Sequence, residues 1–588
     1  MKTMRIHVSG LVLAASCAAQ QLMIWPVRGT REMVAAANNY EVEAGIRLLA
    51  LGGNAIDAGV AATLAAAVTE QARFGLGGEM PLIVKMAGKD PVVISGVGVA
   101  PAKATAEFYR SRRPGAWEDP SRMPPIPPQG IHAAITPGVF DGLMLALETY
   151  GTKSFADVAQ PAIEAAEGFP VGEEWAGFLR ANERILQLWP ASWAFFFPGG
   201  RAPARGELWR APDLAGTLRE LAGAERKTRG NRVRKIRAVR DYFAQGPIGQ
   251  KIARFSEANG GLLTLDDLKK FRAEFDKPKT GSYRGYTIVK PGFWTQGPVM
   301  IEALNILEGI DLKALGHNSP AYLHTVLEAV KLAFADRDRY YGDPKFSRIP
   351  EETLLSKEYA AQRRGLIDPA RASMEHRPGN LGPAPAMPSG GGSSVGVQDT
   401  TCVNVADRWG NVFNATPSGA WLPSVIVAGT GIPLSSRATS FVLSEGHPNR
   451  IEPGKRPRVT LSPTMVLKDG KPFLIMSTPG GDNQDQAMLQ VLLNIIDFGM
   501  IPQEAVEAPR FQTEHFYSSF AYHEFVPGKV NLERRFPQPV IDRLKELGHQ
   551  VEVRGEWSNA SAPTVILFRD GVLDGGADPR RGRVIFGR

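Results

Sequence analysis

The chain has 588 residues, of which 43% are hydrophobic and 22% are charged, and its formal net charge is +8. This composition is typical of a globular protein with a buried core and excludes the disordered and fibrous classes. No apolar run is long enough for a transmembrane helix, so we predict no stable membrane insertion. The basic stretch 226–240 contains no aromatic residues that could stack on bases, so we predict no nucleic-acid partner.

The sequence contains two cysteines, Cys17 and Cys402. They cannot build a disulfide framework, and neither has potential metal ligands at a suitable spacing. Packing in a buried strand is the role expected for Cys402. We therefore predict no metal and no organic cofactor.

The N-terminus permits two interpretations. Lys2 and Arg5 precede a short apolar run from Val8 to Ala19, which resembles a weak signal peptide. Met23 is an alternative start, because the motifs described below begin soon after it. Residues 1–22 are thus predicted to be a signal peptide or a non-native start, and the protein would be periplasmic in the first case and cytoplasmic in the second.

Helical and strand-like patterns alternate through the first 365 residues. Apolar residues at helical spacing predict a helix from Glu41 to Leu51, which ends at a pair of glycines, and an alanine-rich helix over 55–69. The run Pro81–Met86 predicts a strand. Further predicted elements are helices near 138–150, 154–167, 297–307 and 319–341, a mostly helical region over 170–275 and a strand over 281–289.

Residues 365–396 are rich in Pro, Gly and Ser and poor in hydrophobic residues, which predicts a flexible linker. The elements predicted after it are strands near 401–405, 412–416, 464–468, 473–477, 550–554, 563–568 and 583–586, and helices near 483–498 and 502–508. Strands and helices on both sides of the linker fit one layered α/β unit built from both halves.

Thr400 begins a predicted hairpin whose strands flank a polar turn at 407–411. A threonine hydroxyl is a weak nucleophile unless a base lies beside it, and a free N-terminal amine can be that base. If the Asp399–Thr400 bond were cut, Thr400 would carry both groups. The alternative is an ordinary strand start, because β-branched residues favour strands. This stretch alone favours the alternative.

Several further motifs, taken in their order along the chain, favour a nucleophilic Thr400 over an ordinary strand start. With the segment around Thr400 they resemble the gamma-glutamyltransferase family of N-terminal-nucleophile hydrolases, over roughly residues 30 to 585. The motifs are Gly45–Leu49, Gly52–Ala58, Gly75–Gly78, Tyr242–Ile248, Ala335–Arg337, Gly342–Pro344, Leu461–Thr464 and Pro479–Gly481.

The resemblance implies a fold and a domain organisation. The fold is the four-layer αββα sandwich of N-terminal-nucleophile hydrolases, an α/β fold built from both processed chains. The cut would fall between Asp399 and Thr400, giving a large chain of residues 23–399, of which 365–399 form a flexible linker to the cut site, and a small chain of residues 400–588. The two chains would stay associated, with a dimer of such heterodimers as a further option.

The resemblance also implies roles for four residues. Thr400 would be the nucleophile, and Ser418 falls where the family has a threonine whose hydroxyl contacts the nucleophile. Gly480 and Gly481 would donate backbone N–H groups to the oxyanion that forms during acyl transfer. Taken by itself, the segment around these glycines is typical of a simple turn.

Six positions depart from the glutamyl-binding pattern that the resemblance implies, namely Val97, Ala420, Arg437, Ser440, Val459 and Thr460. Val97 occupies the place of the carboxylate-binding arginine, and Ser440 that of the acidic residue that meets the α-ammonium. Thr460 keeps one hydroxyl where the family has two serines, and Arg437 stands where it has Gln or Glu. Each charge-assisted hydrogen bond contributes about 1.5–3 kcal/mol, so these losses would weaken glutamyl binding strongly. Arg437, together with Arg73, is the replacement anion site suggested by the sequence.

These observations favour a self-processing threonine amidohydrolase that cleaves a small amide or peptide substrate with weakened glutamyl specificity. The first alternative is a true glutathione hydrolase or gamma-glutamyltransferase. A second, from another class, is a catalytically silent homologue that binds a small molecule. Retention of Thr400, Ser418, Gly480 and Gly481 argues against the silent homologue. From the sequence, Arg437→Ala is expected to weaken anionic substrates selectively and to leave self-cleavage intact.

Overall fold

The computed structural model describes residues 22–115, 123–383, 385–388 and 399–588. The segment 1–22, predicted to be a signal peptide or a non-native start, lies outside the described residues apart from its last residue.

Strands and helices are numbered here in chain order. The strands are β1 Val27–Gly29, β2 Met33–Ala36, β3 Met80–Lys85, β4 Val92–Gly96, β5 Phe169–Pro170, β6 Leu208–Trp209, β7 Glu274–Asp276, β8 Lys279–Tyr283, β9 Tyr286–Lys290, β10 Val403–Ala406, β11 Val412–Ala415, β12 Ile426–Val427, β13 Ile432–Pro433, β14 Thr464–Lys468, β15 Lys471–Ser477, β16 Phe511–Thr513, β17 Lys529–Glu533, β18 Gln550–Arg554, β19 Thr564–Arg569, β20 Val572–Ala577 and β21 Val584–Gly587. The α-helices are α1 Asn39–Ala50, α2 Ala55–Thr69, α3 Ala106–Ser111, α4 Val139–Tyr150, α5 Phe155–Glu167, α6 Glu173–Leu186, α7 Pro190–Phe196, α8 Pro212–Lys227, α9 Arg232–Ala244, α10 Pro247–Ala258, α11 Leu265–Lys270, α12 Pro298–Leu307, α13 Leu312–Leu315, α14 Pro320–Tyr340, α15 Glu351–Leu354, α16 Lys357–Arg364, α17 Gln484–Ile496, α18 Pro502–Glu507 and α19 Gln538–Glu546.

Two seven-stranded sheets form the centre of the fold, and all neighbouring strands within them are antiparallel. The first sheet has the strand order β21-β2-β10-β11-β3-β4-β7. The second has the order β1-β20-β19-β15-β14-β9-β8.

The side chains of the central strands alternate between two apolar cores. In β2, Val34 and Ala36 pack towards the outer helices, whereas Met33 and Ala35 pack into the core between the two sheets. Successive strand residues point to opposite faces, so a sheet covered on both sides needs apolar residues at every position. The four buried apolar residues of β2 meet that requirement.

Helices cover the outer face of each sheet. The first sheet is contacted by α1, α2 and α4, and the second by α12, α17 and α18. This arrangement confirms the predicted four-layer αββα sandwich. Across the described ranges, every helix is too short or too polar to cross a lipid bilayer.

Both sheets mix strands from before and after the Asp399–Thr400 bond. In the first sheet β10 lies between β2 and β11, and β21 pairs with the other edge of β2. In the second sheet β1 pairs with β20, and β9 pairs with β14. The hydrogen bonds of both sheets would therefore continue to join the two chains after a cut at this bond.

We expect the two products of cleavage to remain together without any covalent link, because separating them would break ladders in both sheets and expose the core between them. Size-exclusion chromatography of cleaved protein should give one species containing both chains, which separate only in denaturant. Two separate native species would contradict this prediction.

The first part of the predicted linker forms hydrogen bonds with the body of the protein. Residues 365–383 lack helices and strands, yet hydrogen bonds fix them to the body of the protein. The N–H of Gly379 donates to Asp336 at 2.6 Å, and the N–H of Ala372 donates to the carbonyl of Leu547 at 2.7 Å. Pro and Gly content predicted the absence of regular structure but not these attachments. Residues 389–398, which lead to the cut site, lie outside the described part of the chain.

Candidate active site

The β10–β11 hairpin places Thr400 opposite Ser418. Val403 pairs with Ala415 in the antiparallel register, and the same register extended outward pairs Thr400 with Ser418 in an isolated bridge. Thr400 and Ser418 are 2% and 0% exposed, and their hydroxyl oxygens lie 3.2 Å apart. The structure thus brings together the predicted nucleophile and the predicted supporting hydroxyl.

The side chain of Asp399, which directly precedes Thr400, is held firmly. Its carboxylate accepts a hydrogen bond from Nε of Arg73 at 2.6 Å and is ion-paired with Arg581. Burial by itself raises the pKa of Asp399, but Arg581 and Arg73 outweigh it and bring the pKa below its ordinary value. Arg73 also pairs with Glu70 and Glu174, so it holds Asp399 and, with three carboxylate partners, is not free to bind a substrate anion.

The carbonyl oxygen of Asp399 accepts two side-chain hydrogen bonds. The hydroxyl of Ser418 donates at 2.9 Å, and the indole N–H of Trp421 donates at 2.5 Å. Trp421 is 3% exposed. Sequence reasoning did not single it out, because a tryptophan in an apolar segment is usually only a packing residue.

Gly480 and Gly481 form the turn between β15 and α17. Both have positive φ values, 116° and 55°, and a Cβ on Gly480 would lie 2.2 Å from the hydroxyl of Ser561, so glycine is required there. The turn is joined to the nucleophile through Gln484, whose Nε2 lies 3.5 Å from the Thr400 hydroxyl oxygen. The turn that carries the two predicted N–H donors therefore lies in the same region of the fold as the predicted nucleophile.

Comparison with known proteins agrees with this geometry. The family model described as gamma-glutamyltranspeptidase matches residues 42–587. The chain belongs to this family. The glutathione hydrolase-like YwrD proenzyme of Bacillus subtilis is 34% identical, with 94% of this chain and 98% of that protein covered. The Acylase ACY 1 proenzyme of Pseudomonas sp. strain SE83 is 35% identical, with 94% and 92% covered. The crystal structure of cephalosporin acylase from Bacillus halodurans has a TM-score of 0.83 at 29% identity and covers 98% of this chain and 99% of that one. The protein is accordingly a self-processing amidohydrolase of the gamma-glutamyltranspeptidase family.

Arg437 lies inside this family member, not on its surface. It is fully buried, forms an ion pair with the equally buried Glu79, and donates from Nη2 to the Ser418 hydroxyl at 3.1 Å. Its guanidinium lies over the indole ring of Trp421, 4.3 Å from the ring centroid. Burial lowers the pKa of Arg437 and raises that of Glu79, and the ion pair opposes both changes. Most of the charge of Arg437 is thus already compensated by Glu79.

Glu79 was missed by sequence reasoning, although the sequence contains a signal. It directly follows the Gly75–Gly78 motif and directly precedes β3, whose residues are all buried. A charged residue at the entrance to a buried strand requires a partner, because an unpaired buried charge is strongly unfavourable. The partner, Arg437, is 358 positions away, and the sequence gives no indication of that pairing.

The other predicted substrate-binding residues are buried and uncharged. Ser440 ends the 3-10 turn that Arg437 begins, and Thr460 lies in a buried segment. Within the described part of the chain, neither hydroxyl has a hydrogen-bond partner. Val97 and Val459 both belong to the core between the sheets. Val97 and Ser440, the residues that the resemblance places at the two charge-binding positions for a glutamyl group, are therefore uncharged.

One group of described residues has side chains suited to a metal. Ligand atoms of His324, Glu328 and His549 lie within 4.8 Å of one another. The Glu328 carboxylate, however, is ion-paired with Lys331 at 2.7 Å and with Arg377 at 3.0 Å. The two imidazoles are 2.9 Å apart, Nδ1 of His324 to Nε2 of His549. These contacts already balance the carboxylate charge, so we assign no metal to this group.

Proposed function

We propose that the protein cuts its own Asp399–Thr400 bond and then hydrolyses a small amide through an acyl-enzyme on Thr400. The acyl group would be neutral or singly negative and would lack the α-ammonium of a glutamyl group. The observation that carries the proposal is the buried Thr400 hydroxyl, which lies 3.2 Å from the Ser418 hydroxyl, while Ser418 also donates to the carbonyl oxygen of Asp399.

In the mature protein the free α-amine of Thr400 would take the proton from the Thr400 hydroxyl as the oxygen attacks the amide carbonyl. The backbone N–H groups of Gly480 and Gly481 would stabilise the oxyanion. The amine product then leaves with a proton, and water, the preferred acceptor, hydrolyses the ester on Thr400. Ser418 would orient the nucleophile through its 3.2 Å contact.

The specificity for the acyl group follows from the charges in the site. A buried α-ammonium requires an anion, and Glu79 is already ion-paired with Arg437. Val97 and Ser440 offer no charge at the positions where the family binds the glutamyl group. Nη1 of Arg437 has no partner among the described residues, so it remains a donor for a carbonyl or carboxylate oxygen of the acyl group.

We expect glutaryl anilide to be a better substrate than γ-glutamyl anilide, by at least about tenfold in kcat/KM, since each 1.4 kcal/mol is a factor of ten and an unpaired buried ammonium exceeds that. The two compounds differ only in the α-amino group, so their ratio isolates its effect. For the γ-glutamyl compound we expect a kcat/KM below ~10⁴ M⁻¹s⁻¹. Anilide hydrolysis by cleaved protein, with butyryl anilide as the neutral control, measures these values.

The same assay separates the alternatives. A γ-glutamyl anilide hydrolysed as fast as the glutaryl compound would favour a true glutathione hydrolase or gamma-glutamyltransferase, as the similarity to the glutathione hydrolase-like YwrD proenzyme suggests. Cleaved protein that turns over none of the three would favour a catalytically silent homologue.

A further inference from the structure

The carbonyl oxygen of Asp399 lies in a small site of its own. The Ser418 hydroxyl and the Trp421 indole N–H both donate to it, at 2.9 and 2.5 Å. Both side chains belong to the segment that follows β11, and both are buried. This oxygen is the atom on which negative charge develops if Thr400 attacks the preceding peptide bond.

We propose that Ser418 and Trp421 form an oxyanion-binding site for self-cleavage, distinct from the Gly480–Gly481 donors used for amide substrates. The inference rests on the proposed cut at Asp399–Thr400. Fixed donors aimed at a developing oxyanion commonly provide the largest single stabilisation of such a transition state. Two separate sites are expected, because the carbonyl group attacked in self-cleavage belongs to the protein backbone. The carbonyl group attacked in the mature enzyme belongs to a separate substrate molecule.

The contacts also provide a path for the proton. The Thr400 hydroxyl attacks the carbonyl carbon of Asp399, and its proton passes through Ser418, 3.2 Å away, to the nitrogen of Thr400. The carbonyl oxygen becomes the oxyanion, to which Trp421 and Ser418 donate hydrogen bonds. The C–N bond then breaks, leaving an ester between Asp399 and the Thr400 oxygen and a free amine. Water hydrolyses the ester to the Asp399 carboxylic acid and the Thr400 hydroxyl.

Neighbouring groups hold Trp421 and Ser418 in position. The guanidinium of Arg437 lies over the indole ring, and Phe520 packs edge-on against it with ring centroids 5.7 Å apart. Arg437 also donates to the Ser418 hydroxyl at 3.1 Å. The Ser418 oxygen accepts hydrogen bonds from Arg437 and Thr400. The proton of the Ser418 hydroxyl is therefore directed at the carbonyl oxygen of Asp399. Arg437 is therefore a positioning residue for self-cleavage, and the expectation from sequence that its removal spares cleavage does not fit these contacts.

The decisive variant is Trp421→Phe, which keeps an aromatic ring beside Arg437 and removes the N–H. Loss of one oxyanion donor slows related reactions by about 10² to 10³-fold, so we expect self-cleavage to slow by about 10²-fold. Full-length chain is produced by cell-free synthesis, synthesis is stopped, and the cut fraction is followed on a denaturing gel. Trp409→Phe is the matched control, because Trp409 is 50% exposed in the hairpin turn, and it should cut at the wild-type rate.

A structural role for Trp421 would give a different pattern. We expect the fall in cleavage rate to exceed the fall in anilide hydrolysis per cleaved molecule by at least tenfold. Equal losses in both reactions, or wild-type cleavage by Trp421→Phe, would overturn the inference. The thermal midpoint of Trp421→Phe, compared with that of Trp409→Phe, shows whether the fold is retained.

Ser418 provides a second test that does not depend on the indole. Ser418→Ala should slow cleavage at least as much as Trp421→Phe, and Ser418→Thr, which keeps the hydroxyl, should restore most of the rate. If Ser418→Ala cuts as fast as wild type, the proposed proton path is wrong. Failure of the proposed function is recognised separately, because the wild-type chain itself would then not be cut at Asp399–Thr400.

Discussion

The Thr400→Ala chain should remain uncut and inactive, running as one band of 63.7 kDa. Wild-type protein should give two bands, one of which has the mass of residues 400–588 with Thr400 at its N-terminus. The reason is that alanine lacks the oxygen that attacks the carbonyl of Asp399, and nothing else in the site replaces it. A denaturing gel and intact mass spectrometry measure the outcome.

The matched control for this prediction is Thr401→Ala. Thr401 is the next residue, it is equally buried, and its hydroxyl has no partner within the described ranges. We expect Thr401→Ala to be cut at the same bond. Cleavage of Thr400→Ala between residues 399 and 400, or amide hydrolysis by uncut wild-type protein, would disprove the mechanism.

The second large effect is expected for Glu79→Gln. Arg437 would then be a fully buried cation without its partner, and removing one member of a buried ion pair costs about 3–5 kcal/mol. The thermal midpoint should fall clearly. The measurement is best made in the Thr400→Ala background, so that every molecule is one intact chain.

The control pair is Arg180 and Glu173, which are 49% and 62% exposed. Glu173→Gln should change stability by at most about 1 kcal/mol, since water screens an exposed pair. A double replacement, Glu79→Leu with Arg437→Met, should be less destabilising than Glu79→Gln, because it leaves no unpaired charge. If Glu79→Gln proved no more destabilising than Glu173→Gln, the buried pair would not have the role assigned to it.

Local patterns in the sequence predicted local structure well. The helix predicted over 319–341 is α14, Pro320–Tyr340, and the strand predicted over 550–554 is β18. The period of the hydrophobic residues and the capping residues determine such elements, and both depend only on residues close together in the sequence. The hairpin register that places Thr400 opposite Ser418 follows from the same short-range pattern.

Long-range contacts could not be predicted in this way. β18 belongs to a separate three-stranded sheet and not to the sandwich, because its partners are determined by tertiary packing. The pairing of Arg437 with Glu79 joins two residues that each look unremarkable in sequence, and it changes the role expected for Arg437. Trp421 gave no signal, since the direction of an indole N–H depends on its rotamer and its neighbours.

The strand order has a consequence for the way the protein is made. β2 has β10 and β21 as its two neighbours, and these are synthesised more than 360 residues later. At about 5–20 residues per second, both edges of β2 stay unpaired for roughly 20 to 70 s, until β10 has been synthesised. Unpaired apolar strands are prone to aggregation during such an interval. Folding of the sandwich must therefore await the last residues of the chain, and the hairpin that positions Thr400 forms within that late assembly.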